Sequence, residues 1–317
     1  MPNYPRRSIR NQVVDHLEVI DSLTYGGREI APSLPPGNVH YVDTFNGTDT
    51  NTGKNWDKSV ATMATAIAHA DPYDTIVLKG DVREELTASH ELFDITIIGA
   101  GTRPRHANSG YEGASVWRPP ASPTTATPLL KVRAQGWRFR NILFDCPVDA
   151  AGVYLERNAV DGVANGEYDA SHAEFLGCRF ESGLVGIQNA GGAGFVNVED
   201  CRFYRLSGAG AAGIKCTSTA AAIPLNWQVR NNHFAHNASH ILSSMSYSEI
   251  IDNIFGRFTA TLAVDLYNQP SVGQGEYNII TSNYLSGSYG AAAYPAGSNN
   301  EWAGNQNVAG ITTADPT

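Results

Sequence analysis

Seven segments of this chain repeat one pattern: a β-rich triplet, then Asn, Asp or Gly, then a Phe-like residue. They are Trp137–Phe144, Ala173–Phe180, Val198–Phe203, Trp227–Phe234, Ser248–Phe255, Tyr277–Tyr284 and Glu301–Val308. Their last residues are separated by 21 to 36 positions. A recurring unit of about 20–35 residues points to a stack of similar turns rather than one globular core. Constant anchors at uneven intervals describe a coil whose strands keep their length while the connections vary. Within each segment apolar and polar residues alternate, as at Ile142 and Phe144 or Val229 and Asn231, the period of a strand with one buried face. The Asn, Asp or Gly marks a bend, because these residues tolerate left-handed backbone angles. A second phrase follows most anchors at Gly186-Ile187, Gly213-Ile214, His240-Ile241 and Ala263-Val264, and reads as the next strand of the same turn.

No amphipathic stretch of helical length follows Ile95, so a helical solenoid does not fit. The expected fold is all-β: a single-stranded, right-handed parallel β-helix over about 38–300, with 301–317 as a C-terminal tail or cap. The composition agrees, since 31 glycines suit a bend-rich β protein. A net charge of −9 argues against a nucleic-acid partner, which needs clustered Lys and Arg. No run of about 18 apolar residues is present, so no membrane span is expected. The start, Met1-Pro-Asn-Tyr-Pro-Arg-Arg7, leads into no apolar stretch of secretion-leader type, and the expectation is assembly in a cytoplasm. Cys178 and Cys201 each precede their Phe by two residues and should fill one slot on adjacent turns as buried thiols.

Residues 1–37 stand apart. Ile9, Val13, Leu17, Ile20 and Leu23 form one apolar stripe on a helix expected over about 8–24. Two roles fit it: packing back on the coil, or docking on a partner or bundling with copies of itself. The Pro-rich stretch 31–37 is a stiff connector. Further on, Asp57 or Ser59 is placed to cap a helix over about 59–70, through Met63, Ile67 and Ala70, which would cover the end of the coil.

The run Tyr41-Val42-Asp43, Asn46-Gly47, Asp49, Gly53, Ala61-Thr62, Ala66-Ile67 and Asp74-Thr75-Ile76-Val77 resembles the opening of phage and bacterial pectate-lyase-like β-helix proteins. The stretch Ile97-Ile98-Gly99-Ala100-Gly101 looks like their following turn. The resemblance covers about 39–310 and implies the fold; proteins of this fold include lyases, hydrolases, adhesins and structural parts. Ser59-Val60 stands where that family often has Pro-Phe.

Candidate chemistry is sparse. Carbohydrate hydrolysis needs two carboxylates about 5–10 Å apart. Glu156, Asp161, Glu167 and Asp169 fall in the longest interval between anchors, and two cross-turn pairs are conceivable, Glu181 with Asp200 and Asp145 with Glu174. Polygalacturonase-type signatures are absent. Asp49, Asn51 and Asp57 alternate oxygen ligands somewhat like a calcium loop, but turn-shaping is the simpler role. His233, His236 and His240 have helical metal spacing on a strand and bend, where they diverge. No cofactor is expected. Asn231-Asn232, Asp252-Asn253 and Ser282-Asn283 align at the bend and suit stacked amides along the coil. The resulting expectation is a phage virion protein, a capsid decoration or tail spike. It would be a homotrimer by resemblance to tailspikes, attached to other virion proteins through residues 1–37, and would bind a host-surface glycan. The alternatives are a polysaccharide-degrading enzyme, and an adhesin using Tyr247, Tyr267 and Tyr289.

Overall fold

The structure is a computed structural model that describes residues 37–101, 115–156, 169–217, 223–256, 276–285 and 299–307, and the backbone of four further strands, Leu23–Tyr25, Arg28–Ala31, Val264–Asp265 and Gly310–Thr312. The chain divides into one unit of Met1–Pro35 and another of Pro36–Thr317. In the first, Leu23–Tyr25 pairs antiparallel with Arg28–Ala31. The helix expected over 8–24 lies outside the described residues through position 22, and with it Ile9, Val13, Leu17 and Ile20. Leu23 and Thr24 belong to the strand, not to a helix. The β-branched and aromatic pair Thr24-Tyr25, followed by Gly26-Gly27, favours a hairpin over a last helical turn.

The second unit is a right-handed parallel β-helix. Among the described residues its three sheets hold ten, ten and seven strands. Sheet 1 runs from Val39–Asp43 to Glu301–Ala303 and sheet 3 from Leu86–Thr87 to Val264–Asp265, both parallel throughout. Sheet 2 runs in parallel from Asp81–Arg83 to Asn305–Asn307 and ends on Gly310–Thr312, which is antiparallel. The coil therefore continues past residue 300, where a tail or cap was expected. Trp302 supplies the inward side chain there, in register with Ile280. The second phrase of each repeat is sheet 3, with Ile187, Ile214, Ile241 and Val264 in one register column.

Each repeated segment is two strands and a corner. In the first, Arg138–Arg140 belongs to sheet 1, Asn141 turns at φ 57, and Leu143–Asp145 belongs to sheet 2. The same left-handed corner recurs at Gly177, Asp200, Asn231, Asp252, Ser282 and Gly304. Beyond it the chain points Phe144, Phe180, Phe203, Phe234 and Phe255 inward, in a stack with centroids 4.6–5.1 Å apart. That interval is close to the spacing of neighbouring strands, about 4.8 Å. The sixth anchor is one residue later than its sequence suggests. Tyr284 is 43% exposed and Leu285 pairs with Phe255, because the corner at Ser282 sets the register.

The residue after each corner is a buried slot holding Ile142, Cys178, Cys201, Asn232, Asn253, Asn283 and Asn305 in turn. From Cys178 onward the slot residue donates to a sheet 1 carbonyl one turn back. Cys178 Sγ reaches Phe139 O and Cys201 Sγ reaches Phe175 O, each at 3.4 Å. Asn232 Nδ2 reaches Val198 O at 2.8 Å, Asn253 reaches Val229 O at 2.8 Å, Asn283 reaches Ile250 O at 2.8 Å and Asn305 reaches Ile280 O at 2.9 Å. Each Asn Oδ1 also accepts from the slot backbone N–H one turn earlier, as Cys201 N to Asn232 at 2.8 Å and Asn232 N to Asn253 at 2.9 Å. Both the thiol pair and the amide ladder thus occupy one column. All four cysteines are free and buried, and burial pushes the Cys216 thiol up to about 12.

The first turns explain the opening motif. Asp43 accepts from the Phe45 and Asn46 amides and from Lys79 Nζ at 2.7 Å. Asp74 accepts from Asn38 N, Asp71 N and His40 Nε2, tying the first two strands of sheet 1. Burial raises its carboxyl, but those donors outweigh it and hold it below the usual range. The end helix is Met63–His69, later than expected, and its N-cap is Thr62 rather than Asp57 or Ser59. Val60 first bridges to Val42 in the edge strand of sheet 1, which delays the helix. Glu84 accepts from the Met63 and Ala64 amides. Met63 and Ala66 are buried in the same core as the coil.

Replacing Asn253 by Ala leaves Val229 O and Asn232 N–H without that partner and should cost about 2–4 kcal/mol in denaturant unfolding. Asn253→Cys, which restores the thiol arrangement of the earlier turns, should cost distinctly less; equal costs would contradict the shared role. Asp74→Asn should destabilise at neutral pH. The native carboxyl is depressed, so its stabilisation is complete above the unfolded pKa and is lost as pH falls through the native one. The difference in melting temperature between wild type and variant should therefore close below about pH 4.

Candidate functional site on the outer face of sheet 2

Two outward rows run along sheet 2, fixed by register. One is Asp81, Val116, Leu143, Arg179, Arg202, His233, Ile254, Tyr284; the other is Arg83, Arg118, Asp145, Glu181, Tyr204, Ala235. In a chain of net charge −9 this face carries four arginines in its rows, and Arg205 follows at the next left-handed corner. The early end is neutralised, since Asp81 binds Arg83 at 3.0 Å and Arg118 at 2.8 Å. Further along the rows, Arg179 pairs with Glu181.

The next turn is electropositive. The Arg205, Arg202 and Arg179 guanidiniums lie 4.9, 5.4 and 5.9 Å from the Tyr204 ring centroid. Among the described residues no carboxylate pairs with Arg202 or Arg205, and Arg202 Nε is buried without a hydrogen-bond partner. His233, beside Arg202 in the row, is held below its ordinary pKa by burial and by Arg202 and Arg179. It is therefore neutral near pH 7 and offers one ring nitrogen as an acceptor. His236 stands edge-on to Tyr204 with centroids 5.4 Å apart. The arrangement presents cations and a neutral imidazole together, suited to a carboxylated or sulfated ligand.

Asp145 adds acid–base chemistry. Burial pushes its carboxyl up; Arg118 and a hydrogen bond from Ser182 oppose this, while Glu181 and Asp81 reinforce it. Glu181 sits on the adjacent strand, about 4.8 Å away along the coil. It is 3% exposed and committed to Arg179, so it orders the arginine rather than meeting a ligand directly.

The carboxylates singled out from sequence are not brought together. Glu156 ends a sheet 3 strand and pairs with Arg133 at 2.6 Å and Lys131 at 3.4 Å. Asp161 and Glu167 lie outside the described residues. Asp169 Oδ1 accepts from Ser171 N in a turn. Asp200 is itself a corner residue at φ 53, so it does not face Glu181. Glu174 lies in sheet 1 against Arg138 and Arg140 and does not face Asp145. Asp49 accepts from Ala61 N and Thr62 N, Asn51 donates to Ser59 O, and Asp57 lies in the short helix Trp56–Lys58, so this loop is shaped by backbone contacts. Of the histidines, His240 is buried with its pKa lowered to about 4, chiefly by burial. Its Nε2–H donates to Gly256 O and its Nδ1 accepts from Asn237 Nδ2. The three rings diverge. In the sequence Arg202 and Arg205 stand near Asp200 and read as a surface pair. Sequence reasoning missed their grouping with Arg179 around Tyr204, although taking the residues that follow each slot exposes it: Arg179-Phe-Glu181, Arg202-Phe-Tyr204, His233-Phe-Ala235.

No protein-family model and no curated protein matches the sequence. Solved structures do resemble it. A GH136 lacto-N-biosidase from Eubacterium ramulus matches at a TM-score of 0.50 and 11% identity over 78% of this chain, which spans 56% of that protein. The pectin methylesterase from Aspergillus niger matches at 0.48 and 15% identity, covering 90% of both chains. A pectate lyase matches at 0.49 and 13% identity, over 88% of this chain and 78% of that one. The likeness is one of fold, the parallel β-helix.

Asp145→Asn should raise the melting temperature at pH 7 by about 1–3 °C. The native carboxyl has a raised pKa, so its charge is a cost that is present above that pKa and vanishes below the unfolded value. The variant's advantage should accordingly disappear below about pH 4; an advantage unchanged across that range would refute the assignment.

Proposed function

We propose that this chain is a glycan-recognising β-helix that holds an acidic polysaccharide along the outer face of sheet 2. The observation that carries this reading is the pair Arg202 and Arg205 around Tyr204, neither with a carboxylate partner among the described residues, backed by the buried Arg179–Glu181 pair and with His233 neutral beside it. Guanidinium forks match the planar carboxylate of a uronic acid or a sulfate ester, and the imidazole nitrogen suits a sugar hydroxyl. Val116, Leu143, Arg179 and Glu181 are buried, so a ligand meets the later turns of this face, through Arg202, Tyr204, Arg205 and His233. The fold is shared with proteins named as polysaccharide lyases and a pectin methylesterase, in keeping with a carbohydrate ligand.

One observation favours cleavage as a second reading. Asp145 has a raised pKa and lies one strand before Glu181, which suits a proton donor or acceptor at the edge of the bound chain. The setting we propose is a phage virion, on the capsid or tail, with the chain as a homotrimer attached to other virion proteins through residues 1–37. Its support is the resemblance of the opening motif from Tyr41 to Val77, and the separateness of the Met1–Pro35 unit.

The test uses oligogalacturonate, oligomannuronate and a sulfated oligosaccharide, with maltohexaose as the neutral control. At least one acidic probe should bind, more weakly as salt rises. The double variant Arg202→Gln/Arg205→Gln should lose at least tenfold in affinity with an unchanged melting temperature. Equal binding of maltohexaose, or no effect of the double variant, would overturn the reading. Reducing or unsaturated ends released by wild type and not by Asp145→Asn would establish cleavage.

A further inference from the structure

A different corner of the coil carries an outward feature that neither the fold nor the basic face explains. The corner that leads into sheet 1 is occupied, turn by turn, by Tyr73, Asp94, Gly136, His172, Phe195, Asn226, Tyr247, Tyr277 and Asn299. Backbone bonds keep them in register: Gly136 N to Ser171 O, His172 N to Gly194 O, Phe195 N to Leu225 O, Asn226 N to Ser246 O, and Tyr247 N to Glu276 O. Every one has positive φ, between 51 and 75. Gly, Asn and Asp suit that conformation, whereas bulky side chains are disfavoured in it. The aromatic residues therefore strain the backbone, and they expose apolar rings as well. Phe195 is 56% and Tyr247 58% exposed. Neither cost serves the coil, since Asn and Gly make the same corner on neighbouring turns. Such strain is characteristic of sites that bind.

Tyr73 stands edge-on to Phe93, and the other four rings fall into two stacked pairs. His172 and Phe195 have centroids 4.9 Å apart and planes 7° from parallel; Tyr247 and Tyr277 are 5.2 Å apart and 13° from parallel. Both separations approximate one turn of the coil. Asn226 alone interrupts the column between them. The free face of Phe195 and the free face of Tyr247 are thus turned toward the Asn226 position, two turns or about 9.6 Å apart. A guest ring placed midway lies about 4.8 Å from each, within the range of stacked rings. At the corner between them stands Asn226, whose amide carries both a donor and an acceptor for a polar guest.

We propose that the gap over Asn226 is a binding subsite for one pyranose unit, sandwiched between Phe195 and Tyr247 with its hydroxyls on the Asn226 amide. A pyranose has the required anatomy, with C–H groups on its two faces and hydroxyls around its rim. A flat aromatic guest would leave the amide unanswered. The subsite is independent of the basic face of sheet 2 and lacks its arginines, so it takes sugars without regard to charge.

The test is saturation-transfer NMR with the methyl pyranosides of glucose, galactose, N-acetylglucosamine and galacturonic acid, each added to the full chain. Transfer to the axial C–H protons of at least one should appear with wild type. Asn226→Tyr, which closes the gap with a residue the same corner accepts at Tyr247 and Tyr277, should abolish it while the fold persists, shown by an unchanged far-UV circular dichroism spectrum and a melting temperature lowered only by the strain of a bulky residue at positive φ. Phe195→Asn and Tyr247→Asn, which copy the natural corner residue Asn226, should each weaken binding at least fivefold. Arg202→Gln/Arg205→Gln should leave this signal unchanged, which separates it from the acidic-glycan site. No transfer with any of the four sugars, or transfer that survives Asn226→Tyr, overturns the proposal. Transfer lost in the arginine variant alone would put the sugar on sheet 2 and overturn it equally.

Discussion

From Cys178 onward the coil depends on how each turn captures a carbonyl of the turn before it. A parallel sheet satisfies its strands, but every corner breaks the ladder and brings backbone groups into a dry interior, where unpaired ones are costly. The residue after the corner resolves this with a side chain that donates to a sheet 1 carbonyl and accepts from the preceding slot amide. In the later turns Asn does both through one amide, from Asn232 to Asn305. In the earlier turns Cys178 and Cys201 make the carbonyl contact more weakly, with a smaller group. Because the slot fixes where the corner falls, it also fixes which residue points in next. The Phe stack, and the late anchor Leu285, follow from it.

That arrangement leaves the outside free to vary. Inside, one side chain per strand is dictated by the stack. Outside, neighbouring rows can hold any chemistry at an interval of about 4.8 Å. Sheet 1 uses this for alternating charge, as in Arg138, Glu174 and Arg140, and Arg230 with Glu249. Sheet 2 gathers arginines around Tyr204 instead, and keeps Asp145 at a pKa that costs stability. The left-handed corner before sheet 1 bears exposed rings that strain the backbone. Both proposed ligand surfaces depart from what a stable coil asks for.

Much of the scaffold is legible in the sequence. The corners are readable because Asn, Asp and Gly have a chemical reason to be there, and the thiol and amide slots because they recur beside those corners. The register is not fully readable. Tyr284 looks like an inward aromatic and is outward, since nothing in an aromatic side chain reports which way it faces. Arg202 and Arg205 are visible beside Asp200, but Arg179 stays hidden for the same reason, being 23 residues from Arg202 in sequence and its neighbour only through register. The opening motif is recognisable as a pattern, but its purpose, three carboxylates that accept backbone amides at Asp43, Asp49 and Asp74, needs the structure. Tyr247 is exposed, as expected; Tyr267 and Tyr289 lie outside the described residues. The aromatic corner contradicts local propensity, so no propensity argument could find it.

The most direct measurement is a crystal structure of the protein with a bound acidic oligosaccharide. The account predicts a sugar carboxylate or sulfate within hydrogen-bonding distance of Arg202 and Arg205, beside Tyr204 and His233, with the chain extended along the coil axis on sheet 2. A sugar ordered on sheet 1 or sheet 3, with the arginine cluster untouched, would contradict it.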